Sequence, residues 1–173
     1  MNKFEHIMID IETLGYRSTS VIISIAATKF NLDDDNTEDF FVNLNPKGMT
    51  EKGLTIDQST IDWWKNQKPE VLKQSLKDSI DYKTALEKFV DFCSDMQYKK
   101  FWCNGASFDF PIIENSLHVF GMSDPWKYYN LADLRTVLYI ADFNTKNAKR
   151  IGSYHNALDD VKTQISWLKA ALS

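Results

Sequence analysis

The chain has 173 residues, with 20 Lys and Arg against 24 Asp and Glu, for a formal net charge of -4. That length suits one domain over residues 1–173, and six Gly, four Pro and two Cys exclude collagen-like, disulfide-scaffold and disordered classes. No run approaches the ~20 apolar residues of a membrane span, and the acidic balance argues against coating nucleic acid by bulk charge, though not against a local site.

The opening stretch MNKFEHIMIDIE carries acids inside its apolar run, so it is not expected to be a signal peptide. Phe4 to Glu12 and Val21 to Leu32 read as strands, and the acidic segment 31–36 as a turn before a third strand from Thr37 to Asn45. Such short connections predict an antiparallel meander. Ile61, Trp63 and Trp64 then suggest a short helix that stops before Pro69. A longer helix is predicted from Asp81, its N-cap, to Met96, because Leu86, Phe89, Val90 and Cys93 recur at helical spacing. Lys100 to Cys103 is a short strand. Phe110 to Phe120 is a helix closed by Gly121, with Pro111 tolerated in its first turn. Asp133 to Asp142 reads as helical, and Leu158, Val161, Ile165, Leu168 and Leu172 form the stripe of a last helix. Strands followed by alternating helices and strands predict a mixed-sheet α/β domain. Cys93 and Cys103 lack metal-like spacing, so reduced, buried thiols in a cytoplasmic protein are expected.

Three segments place acids where chemistry is expected. On a strand, Asp10 and Glu12 share a face with Met8, their Cα atoms about 6.5 Å apart, while Ile7, Ile9 and Ile11 take the other face. Two such carboxylates repel unless something positive neutralises them, and hard Mg²⁺ or Mn²⁺ does so well. The plain alternative is a strand end emerging into solvent. In Asn104-Gly-Ala-Ser-Phe-Asp109, Asp109 either caps a helix or reaches into a cleft at a strand's end. In Tyr154-His-Asn-Ala-Leu-Asp-Asp160, His155 supplies a group titrating near neutral pH. If His155 is helical, Asp159 shares its face and Asp160 lies about 140° away; if His155 sits in the preceding loop, the spacing does not decide. Together, four acids and one His are the inventory of a two-metal phosphodiester hydrolase.

The segments DIET at 10–13, NGASFDFPI at 104–112 and HNALDD at 155–160 resemble the three exonuclease motifs of the DEDDh superfamily, in that order. Ile61-Asp-Trp-Trp-Lys-Asn-Gln67 and Asp133-Leu-Arg-Thr136 are similar to the subgroup that holds bacteriophage exonuclease A and small bacterial 3′–5′ exoribonucleases. The resemblance implies an RNase H-like fold: a mixed five-stranded sheet, its first three strands antiparallel, flanked by helices. It implies Asp10, Glu12, Asp109 and Asp160 as ligands of two divalent cations, Mg²⁺ or Mn²⁺, with Glu12 also catalytic. His155 would be the general base, and the pattern H-x-A-x-x-D selects Asp160 over Asp159. The implied reaction is stepwise hydrolysis of single-stranded DNA or RNA from a free 3′ end, releasing nucleoside 5′-monophosphates; a homodimer is an open option.

Further expectations concern the substrate. Thr13 and Leu14 would meet the terminal nucleotide, Leu14 as a wedge against its base, and Phe108 would stack on a base or pack in the core. Lys146, Lys149 and Arg150, in a polar stretch before His155, would guide phosphate. Trp63, Trp64 and Trp102 are expected in the core, and Arg135 to pair with Asp133 or another acid. An RNase H-like endonuclease or another metal-dependent phosphodiesterase is the alternative enzyme. A nucleic-acid-binding module is the alternative outside enzymes, and it would need no general base.

Overall fold

The computed structural model describes residues 3–67 and 69–173; Met1 and Asn2 of the opening stretch lie outside them. Strands β1 (His6–Thr13), β2 (Ile22–Phe30) and β3 (Thr37–Asn43) form the expected antiparallel meander, with Asp10 opposite Ala26 and Glu12 opposite Ser24. On the other side of β1 runs β4 (Lys100–Cys103), parallel to it, and β5 (Leu131–Asp133) adds in parallel to β4. The order β3-β2-β1-β4-β5 makes the mixed five-stranded sheet that the family resemblance implies.

One detail of register positions the site. The β1–β4 ladder covers only His6, Ile7 and Met8, whereas β1 continues to Thr13. Asp10 and Glu12 therefore lie beyond the last β4 rung and pair on the β2 side alone. This opens a gap at the carboxyl ends of two parallel strands, where α/β sheets place their ligands.

Among the described residues, six α-helices cover the sheet: α1 (Gln58–Asn66), α2 (Pro69–Leu76), α3 (Tyr82–Cys93), α4 (Asp109–Val119), α5 (Leu134–Ile140) and α6 (Ala157–Leu172). Asp81 is the N-cap of α3, its carboxylate accepting from the Thr84 N–H at 3.0 Å. Two elements depart from expectation. Pro69 does end the α1 region, but it also starts α2, because a missing N–H costs nothing in a first helical turn. The expected helix from Asp133 to Asp142 is shorter: Asp133 closes β5 and caps α5, and Asp142 has left the helix with φ +49°.

The alternation in β1 sorts residues between two cores. Ile7, Ile9 and Ile11 pack with Tyr82, Leu86 and Phe89 of α3 and with Phe110, Ile113 and Leu117 of α4. Met8 packs on the opposite face with Leu134 and Leu138 of α5 and Val161, Ile165 and Leu168 of α6. Each fully buried aliphatic side chain contributes about 1.5–3 kcal/mol. Asp10 and Glu12 continue the Met8 row, so the α6 side of the sheet is apolar at one end and acidic at the other. Both cysteines are free and buried.

Candidate active site

Asp10, Glu12 and Asp160 each turn a carboxylate to one point, with ligand atoms all within 4.8 Å of one another. Glu12 is 9 % exposed, while Asp10 and Asp160 are half-buried. Asp109 is 4 % exposed and stands in the first turn of α4. It is not the helix cap, a position that Phe108 holds without a side-chain bond. Its carboxylate instead accepts from the Ile11 backbone N–H and the Cys103 thiol, which ties it to the ends of β1 and β4.

The electrostatics show how poorly four acids tolerate this arrangement. Burial, then the charge of Asp160 and Asp109, pushes the Glu12 carboxyl up to about 8. Asp10 is raised well above the usual carboxylate range by burial and by Asp109, Glu12 and Asp160. Asp109 and Asp160 are raised as well, chiefly by burial. A buried set of hard oxygen donors that repel one another fits a divalent cation, which removes both the repulsion and the desolvation cost.

His155 lies just before α6, outside the helix, with φ +61°. A positive φ is uncommon for a non-glycine residue and costs roughly 1–3 kcal/mol. With His155 in the loop, helical spacing no longer favours Asp159. The two acids divide the work. Asp159 accepts the Ser153 N–H at 2.8 Å and fastens the loop, whereas Asp160 faces Asp10 and Glu12. The His155 ring meets Trp63 edge-on, centroids 4.8 Å apart, and burial holds its pKa below the ordinary value.

Several neighbours were not apparent beforehand. Gln164 donates from Nε2 to Asp10 Oδ1 at 2.7 Å, bridging α6 to β1. Its signal in the sequence is a polar residue one turn after Asp160, interrupting the Val161-Ile165-Leu168 stripe. Asp133 accepts from the N–H groups of Gly105 and Ala106 at 2.9 and 3.1 Å, holding the turn that leads to Asp109. Arg135 does not pair with Asp133: it donates to the Asn104 carbonyl at 2.9 Å and lies against Gly105, whose φ of +123° and lack of Cβ permit the contact. Trp63 is not core, being 41 % exposed, while Trp64 is buried and donates to the Thr13 carbonyl at 2.9 Å. Trp102 is half-buried, its indole on His6 Nδ1 at 3.1 Å.

The residues expected to meet substrate scatter more widely. The Thr13 hydroxyl donates to the Gly15 carbonyl at 2.5 Å, and Leu14, 8 % exposed, packs in the core beside Ile11. Phe108 is half-buried against the same core. Lys146 and Lys149 are exposed and form no ion pair among the described residues. Arg150 is ion-paired with Asp160.

Comparison with known proteins agrees with this picture. The chain is 30 % identical over 201 aligned residues to an exodeoxyribonuclease of Enterobacteria phage T4, an alignment covering 95 % of this chain and 88 % of the relative. In structure it is similar to Pop2p of S. pombe, solved with Mg²⁺ and Mn²⁺ bound, at TM-score 0.63 over 97 % of this chain and 82 % of that one. At 12 % identity, that likeness shows the shared RNase H-like fold. The model of the 3′-5′ exoribonuclease Rv2179c-like domain matches residues 5–172, and the chain belongs to that family of DEDD-type 3′–5′ exonucleases.

Proposed function

From this membership, we propose that the protein is a DEDDh exonuclease that hydrolyses single-stranded DNA or RNA from a free 3′ end, releasing nucleoside 5′-monophosphates. The observation that carries the reading is the convergence of Asp10, Glu12 and Asp160 within 4.8 Å, with buried Asp109 adding to their field. These four residues would hold two divalent cations, Mg²⁺ or Mn²⁺, which supply the charge that lets a phosphodiester approach and the Lewis acidity that activates water and the leaving oxygen.

The protein's own groups do the rest. His155 takes the proton of the attacking water. Its burial beside Trp63 favours the neutral imidazole, the form able to accept a proton. Gln164 holds the Asp10 carboxylate, and the Ile11 N–H holds that of Asp109, so the donors are aimed before any ion arrives. Thr13, held by the Gly15 carbonyl and the Trp64 indole, and its neighbour Leu14 border the terminal nucleotide, and half-buried Phe108 stacks on a base. Exposed Lys146 and Lys149 draw in the backbone phosphates.

Product analysis tests this reading. Chromatography of a digested single strand should show nucleoside 5′-monophosphates from the first turnovers. Oligonucleotide products appearing before mononucleotides would point to an endonuclease and contradict it.

A further inference from the structure

Arg150 carries an arrangement that the reaction above does not use. Its guanidinium donates from one terminal nitrogen to both Asp160 Oδ1 and the Ser153 carbonyl, and its Cζ lies 3.9 Å from the centroid of the Tyr154 ring. The side chains of the pair are 15 % and 17 % exposed. Yet the Arg150 Nε–H is buried without a hydrogen-bond partner, so the guanidinium is held only in part. Its neighbour Ile151 is fastened through both backbone groups to the Thr163 hydroxyl at 3.0 and 3.1 Å, and Ser153 is fastened to Asp159. The backbone that follows Arg150 is thus fixed to α6, whereas its own side chain ends in a guanidinium with one nitrogen unbonded.

We propose that Arg150 is a built-in counter-ion for Asp160, occupying that carboxylate when no divalent cation is bound and yielding it when one binds. The inference rests on the metal-site reading above. A cation and a guanidinium brought to the one Asp160 carboxylate repel each other, and on the same oxygen they also exclude each other by volume. The guanidinium neutralises the buried acid between turnovers, and its release frees a planar, bidentate donor beside the site for a phosphate oxygen. Arg150 is therefore a positioning residue whose two partners are mutually exclusive, and metal affinity carries the cost of displacing it.

The test titrates Mn²⁺ alone into the full chain by calorimetry and follows thermal unfolding with and without Mn²⁺. Arg150→Ala should bind Mn²⁺ more tightly, by roughly tenfold if the pair is formed in about nine molecules of ten. Its unfolding midpoint should fall without Mn²⁺ and recover with it. Arg150→Lys, which keeps the charge but lacks the planar guanidinium that lies over Tyr154, should fall between the two, and it serves if the alanine variant is poorly folded. Wild-type binding that is lost in Asp160→Ala but unaltered in both Arg150 variants overturns the exchange alone. A midpoint lowered equally with and without Mn²⁺ does so too, since it marks a mere fastener of the loop. No Mn²⁺ binding by any variant overturns the metal reading and the exchange with it.

Discussion

Replacing Asp10 by Ala removes a carboxylate that burial and three other acids already hold far from its ordinary range. Asp10→Ala should therefore melt higher than the wild type without metal, lose most of the stabilisation that Mg²⁺ or Mn²⁺ gives, and show no metal-dependent cleavage. Calorimetric or fluorescence melts with and without metal check the first two points; a variant that cleaves at the wild-type rate removes Asp10 from the site. For His155 the expected profile is a rate that rises with pH, its midpoint displaced below the ordinary imidazole pKa, because burial disfavours the charged form. His155→Ala should slow the reaction by about 10²–10⁴-fold and flatten that rise. At this scale the sequence was informative for acids, since Asp10 and Glu12 break an apolar alternation. It was silent on Gln164 and the Arg150–Asp160 pair, and it placed Trp63 in the core rather than against His155; these depend on contacts across up to 154 positions of chain.

The elements explain why the acids meet. β4 stops one rung past Met8, α4 starts just beyond β4, and α6 crosses back over the open end, so each element ends or begins where a carboxylate is needed. Asp133 links two of these pieces by capping α5 through the Thr136 N–H while gripping the Gly105–Ala106 turn. Asp133→Ala should cost roughly 1–3 kcal/mol of stability, as lost caps and buried hydrogen-bond acceptors do, and should lower activity through misplacement of Asp109. Denaturant melts and rate measurements on one preparation check both effects; unchanged stability would show that the turn stands without Asp133. Long periodic helices such as α3 and α6 were legible from apolar spacing. β5 was not located, because three half-buried residues carry no alternation to read. α2 was missed because Pro69 was read only as a stop.

At the scale of the whole molecule, the charge of -4 takes on a local meaning. The acids at the site are matched only in part by Arg150, and the folded chain pays for their proximity when no cation is present. Glu12 shows the sign. Its carboxyl is raised from 4.5 to about 8 on folding, so the native state binds more protons than the unfolded state between those values. Stability without metal should therefore fall as pH rises from about 4.5 to 8, and Mg²⁺ or Mn²⁺ should restore more of it at pH 8 than at pH 5. Melting curves in EDTA across that range check this, and a flat profile would mean that the acids are neutralised within the protein itself. No helix among the described residues is long and apolar enough to cross a membrane. The most direct measurement of the central claim follows 5′-labelled single-stranded RNA and DNA through incubation with Mg²⁺ or Mn²⁺, beside samples held in EDTA. The account predicts a ladder that shortens one nucleotide at a time from the 3′ end, only with metal, and is lost in Asp10→Ala. Shortening in EDTA, or cuts that begin in mid-strand, would contradict it.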